Sequence, residues 1–202
     1  MSARRLVCPC AVALFLALGA PVPAWAAPTF STPPALPTLP TVTLNAQAQT
    51  TTTAMTNFAV KTGILEGSGW HVTVVGQSGT GNSAVFAQYC PQAGGCGADA
   101  FGYVSSGQTL PANSLTLNTT GASFTGGTGP APTLQCSSPC NIDSASAEKI
   151  ASETGGGLLA NSWTTTGFSA TSLALHTATT LRILPSGEVY RVNVSWTLST
   201  GP

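Results

Sequence analysis

A chain of 202 residues can hold one well-packed domain, and only 6% of it is charged, with six Lys and Arg against six Asp and Glu, while 43% is hydrophobic. So few cations exclude the basic patch that nucleic acid or an anionic membrane surface requires. The abundance of apolar residues excludes disorder, which goes with low hydrophobicity and high net charge.

At the N-terminus, Arg4 and Arg5 precede an apolar run over 6–20 that ends at Pro21, Pro23 and the triplet Ala24-Trp25-Ala26. This pattern predicts a signal peptide over 1–26, cut after Ala26. The run is about fifteen residues, interrupted by Pro9, and a spanning helix needs roughly 20, so no membrane insertion is expected after cleavage. Cys8 and Cys10 stand at the front of the run, unlike a lipid-acceptor cysteine. The cut leaves four cations (Lys61, Lys149, Arg182, Arg191) facing six acids (Glu66, Asp99, Asp143, Glu148, Glu153, Glu188). Residues 27–41 are rich in Pro and Thr and read as an extended linker, because proline fixes φ and removes donors. The folded domain is expected over 42–202.

Four cysteines remain: Cys90, Cys96, Cys136 and Cys140. An even count in an exported chain reads as two disulfides, and the short spacings favour two local bridges, although three pairings are open. A zinc site is disfavoured because there is no C-x2-C pair and His71 and His176 stand apart.

Within the domain, short runs of Val, Leu, Ile, Phe and Thr alternate with glycine-rich turns. This pattern predicts an all-β fold, a single sandwich or barrel-like domain with glycine-rich loops. Strands are expected over 42–44, 57–61, 70–75, 83–89, 115–117, 172–175, 180–184 and 189–198. Residues 76–81 read as a hairpin turn. Residues 142–153 fit either a short helix or a strand beginning at Ile150. Pro185-Ser186-Gly187 reads as the tight turn of a hairpin between the last two strands. In the final strand Tyr190, Val192, Val194, Trp196 and Leu198 share one face, with Arg191, Asn193, Ser195 and Thr197 on the other. Trp70, Val72 and Val74 form a similar apolar stripe opposite His71 and Thr73.

These stripes resemble the two motifs of the WxL domains of Gram-positive surface proteins. The distal motif is matched by Tyr190-Arg-Val-Asn-Val194-Ser195-Trp196-Thr197-Leu198-Ser-Thr-Gly-Pro202, with Ser195 where threonine is usual. The proximal one is matched by Gly69-Trp70-His71-Val72-Thr73-Val74, with Val72 in the leucine position. The resemblance covers nearly all of 42–202. It implies a secreted protein at the cell wall or cell surface, non-covalently attached, whose domain binds peptidoglycan, often beside other surface proteins of the same kind. Covalent sorting is not expected, because no sorting signal, hydrophobic tail or basic stop is seen up to Pro202.

No catalytic apparatus is expected and no cofactor is called for. Gly76-Gln77-Ser78-Gly79-Thr80-Gly81 is neither a G-x-S-x-G elbow nor a P-loop, and the six acids fall in no motif. Sugar binding calls for exposed aromatic rings among neutral hydrogen-bonding groups, and Trp163, Tyr89, Phe101 and Tyr103 lie in loop-like, polar surroundings. Trp163 is either such a ring or one tucked over the sandwich edge. Periodicity makes Trp70 and Trp196 core anchors, leaving the polymer to loops such as 89–103 and 155–168. The alternative role, a structural subunit of a surface fibre or complex, requires an open edge strand or a donor segment. The proline-rich 27–41 is a poor donor.

Overall fold

The computed structural model describes residues 27–63, 67–79, 84–91, 96–155 and 160–202, and the expected signal peptide lies outside them. Regular structure among the described residues is β only. In chain order the strands are β1 (Thr29–Thr32), β2 (Gln49–Thr53), β3 (Ala59–Lys61), β4 (Trp70–Gln77), β5 (Ala87–Tyr89), β6 (Leu115–Leu117) and β7 (Ser123–Thr125). They continue with β8 (Thr133–Leu134), β9 (Cys140–Asn141), β10 (Glu148–Glu153), β11 (Ser162–Thr166), β12 (Leu173–Thr177), β13 (Val189–Arg191) and β14 (Asn193–Thr200). They pair into three four-stranded antiparallel sheets, ordered β14-β4-β10-β8, β2-β12-β6-β9 and β1-β3-β11-β7, and a two-stranded ribbon of β13 with β5. The fold is all-β and sandwich-like.

Strand β4 explains how three sheets share one interior. Alternate residues of a strand point to the same face, and Trp70, Val72 and Val74 are all buried while His71, Thr73 and Val75 are half-buried on the other side. The inward stripe divides its contacts. Val74 joins Ile150 of β10 in a cluster with Leu115, Leu117 and Leu173 of the β2-β12-β6-β9 sheet. Trp70 and Val72 join Ala151 in a cluster with Val60, Phe124 and Trp163 of the β1-β3-β11-β7 sheet. One face of the β4 sheet therefore covers both other sheets, and Trp196 of β14 packs against both clusters. Burying each large apolar side chain contributes roughly 1.5–3 kcal/mol.

Strand β10 decides the segment that the sequence left between helix and strand. Lys149 pairs with Thr73 but Ala151 with Val72, so Ile150 is an extra residue in the ladder. Such a bulge lets Ile150 and Ala151 both turn inward, which breaks period two locally and imitates helical spacing.

Other expectations are corrected. Residues 27–41 do not act simply as a linker: β1 pairs with β3, and Leu36 and Leu39 pack against the core. Residues 42–44 and 180–184 form no strand. The expected terminal hairpin is absent. A turn does close where Glu188 N–H donates to Pro185 O at 3.1 Å, but the run 189–198 splits at Val192. Its first part, β13, pairs with β5, and its second, β14, pairs along β4. Gly76 and Gln77, expected in a turn, belong to β4. The disulfides are the two local ones, Cys90–Cys96 and Cys136–Cys140. Cys136 is fully buried in the core cluster, so the second bridge ties its loop directly to the interior.

Candidate functional site

Of the four aromatic residues read as sugar-facing, the fold gathers three. The β5–β13 ribbon sets Tyr89 opposite Val189 and Ala87 opposite Arg191. Beyond β5 the chain turns back on itself, with bridges between Tyr89 and Tyr103, Ala98 and Val104, and Ala87 and Thr109. Asp99 organises the tip, because its Oδ1 accepts the N–H groups of Phe101 and Tyr103, each at 2.9 Å. Two backbone bonds, Asp99 N to Tyr103 O at 2.7 Å and Cys90 N to Gly102 O at 2.9 Å, close the loop. The Cys90–Cys96 disulfide pins its base.

This frame presents Phe101 with 61% of its surface exposed. At the base of the same loop Tyr89 meets Tyr103 edge to face at 5.4 Å between centroids, and the exposed Arg191 guanidinium lies 4.5 Å from the Tyr89 ring centre. Gly102, at φ +90°, sits so near the same ring that a Cβ there would fall 2.5 Å from a ring carbon. Only glycine permits that approach in the left-handed region. Neutral groups line the ribbon: Gln88 Oε1 accepts from Gln108 N–H at 2.8 Å, and its Nε2 donates to Glu188. Tyr103 is not a surface ring. It is 4% exposed with no hydrogen-bond partner for its hydroxyl, and burial pushes its phenol upward against the opposing pull of Arg191.

Trp163 belongs elsewhere, and this corrects its reading as a loop residue. It lies on β11, between β3 and β7, and is 3% exposed in the cluster with Trp70. Gly127 covers its indole, where an added Cβ would meet ring atoms at 2.3–2.5 Å. The missed signal was threonine. Ser162–Thr165 alternate exposed and buried, but apart from Trp163 every residue of the strand is Ser or Thr, so hydropathy does not mark the alternation. Thr165 is wholly buried because its hydroxyl donates to Phe58 O at 3.1 Å and accepts Phe58 N–H at 2.8 Å.

The motif residues occupy the ladder rather than the loop tip. Trp70 and Val72 are fully buried, and Trp196 and Leu198 are half-buried on β14, opposite Val74 and Val72. Tyr190 anchors the 185–188 turn by donating its hydroxyl to Arg182 O at 2.8 Å. Pro202 is exposed after β14.

His71 Nδ1 donates to Gly201 O at 2.6 Å, and His176 lies between the hydroxyls of Thr50 and Thr116. Asp143 is buried, with Oδ2 accepting Ser114 N–H at 2.8 Å and Oδ1 unpartnered. Burial pushes its carboxyl above the usual range, against the pull of the surrounding N–H groups and of His176. Among the described residues no three His, Cys, Asp or Glu side chains gather as metal ligands would.

A second surface accounts for the apolar runs that failed to become strands. Leu39, Val42, Leu44, Leu181, Ile183 and Leu184 line one open groove of about 680 Å3.

Compared with family models, curated proteins and solved structures, the chain matches none.

Proposed function

We propose that this chain is a secreted surface protein that binds the bacterial cell wall non-covalently, taking peptidoglycan or another wall polymer on a WxL-like domain. The observation that carries the reading is Phe101: a large apolar ring, mostly exposed, on a loop held by one carboxylate, a disulfide and three backbone bridges. An exposed ring on a rigid frame binds without the cost of ordering a loop, and aromatic faces suit the apolar faces of sugars. Arg191, over the Tyr89 ring of the same ribbon, supplies a cation for the acidic groups that wall polymers carry. The two disulfides agree with an oxidising, extracellular compartment.

The test is co-sedimentation of the purified protein with isolated cell walls, with and without teichoic acids. The protein should pellet with the walls and be released by denaturant. Phe101→Ala should lower the bound fraction while leaving the melting curve unchanged. Release only after enzymatic digestion of the wall would show that attachment is covalent.

A further inference from the structure

Strand β14 is the outer strand of its sheet, and at eight residues it is the longest edge among the described residues. Gly201 N–H donates to Gly69 O at 2.9 Å in the same register that pairs Thr200 with Trp70. Opposite residues of an antiparallel ladder alternate between bonded and non-bonded pairs. The odd-numbered residues of β14 therefore direct their backbone groups at β4, and Val194, Trp196, Leu198 and Thr200 direct theirs outward. Among the described residues none of these four has a backbone partner on that side.

Exposed edges are ordinarily protected by charge, proline, bulges or shortness, and β14 uses none of these devices. Asn193–Thr200 contains no ionisable side chain and no proline, and its pairing with β4 runs without a register shift. An edge without charge meets no like-charge repulsion from a second copy of itself.

We propose that β14 pairs antiparallel with β14 of a second copy of this chain, joining two four-stranded sheets into one continuous sheet across a two-fold axis at Thr197. That register engages all four outward residues of each strand, setting Val194 against the second copy's Thr200 and Trp196 against its Leu198. The half-buried Trp196 and Leu198 cover each other. Ser195 and Thr197 are exposed on the opposite face. There the two Thr197 side chains meet as a non-bonded pair, the closest side-chain approach in a ladder. The contact is isologous, so it closes at a dimer.

Sedimentation velocity on the purified protein should show a dimer at concentrations up to about 100 μM, the range expected of a modest interface. Thr197→Lys sets two cations face to face and should weaken the dimer by more than about tenfold. Mixing Thr197→Lys with Thr197→Glu should restore it as a heterodimer. Under a mild oxidant Thr197→Cys should cross-link into a covalent dimer, and Ser195→Cys, which faces Ser199 of the other copy, should not. The cross-linking comparison decides the matter even if the lysine variant folds poorly. A wild-type protein that stays monomeric overturns the proposal and leaves the edge to a foreign strand. A dimer indifferent to Thr197→Lys, or cross-linking equally from 195 and 197, overturns it too.

Discussion

Among the described residues glycine is pressed against an aromatic ring at Trp163 and at Tyr89, with opposite results. At Trp163 the glycine is Gly127, the ring sits on a strand with neighbours on both sides, and the indole disappears into the core. At Tyr89 the glycine is Gly102, the ring belongs to a two-stranded ribbon, and the neighbouring Phe101 is left in solvent. The same close approach seals a core where further strands flank it, and builds a platform where they do not. Both sites are rich in glycine, so ladder position makes the difference.

The largest effect that would break this contrast lies at the sealed site. Trp163→Ala should cost about 3 to 5 kcal/mol, as truncation of a buried aromatic does, and denaturant unfolding should show it. If the variant unfolds like wild type, Trp163 is not a core residue and the contrast fails. Trp196→Ala should cost less, roughly 2 kcal/mol, because its ring is already half-exposed at the sheet edge. The same denaturation series would rank the two.

Two aspartates sharpen the comparison next. Asp143 sits in the interior, its carboxyl raised by burial above the ordinary 3.8. Below pH 3.8 it is protonated in both folded and unfolded chains and imposes no penalty. As pH rises the unfolded chain ionises first, so folding weakens until the folded carboxyl has titrated as well. Asp143→Asn lacks this penalty, so its stability relative to wild type should improve from pH 3 to pH 7, measured by denaturant midpoints. An unchanged difference would mean that the carboxyl is not shifted. Asp99 instead serves the surface loop through its two backbone contacts. Asp99→Ala should lower wall binding more than global stability, seen by co-sedimentation beside a melting curve. The smallest stability effect belongs to Phe101→Ala, expected within about 0.5 kcal/mol of wild type because the ring is exposed.

Much of the β character was legible. The stripes of β4 and β14 follow from strict alternation of apolar and polar residues, and β6 was read at its observed bounds. Three kinds of element were hidden. Strands β2 and β11 are mostly threonine, whose β-branched shape suits a pleated surface although hydropathy does not mark it. Strand β10 carries a bulge at Ile150 that disguises its period. Residues 42–44 and 180–184 are apolar because they line a groove, which a strand pattern cannot distinguish from a ladder. For the candidate site, Tyr89, Phe101 and Tyr103 were legible as aromatics of one polar, loop-like stretch over 89–103. Arg191 was not, because only the β5–β13 pairing brings residues a hundred positions apart to one ring.

By itself the sequence determined which face of a strand is apolar, since alternation is a property of adjacent residues and needs no partner. It also limited the charge available to any ligand and supplied the paired cysteines. Tertiary structure decided which strands meet. It divided 189–198 between two sheets, drew Trp163 inward, left Phe101 out and placed β14 at an edge. Pairing is chosen by the summed burial and backbone bonding of segments far apart in the chain, and no local pattern carries that sum.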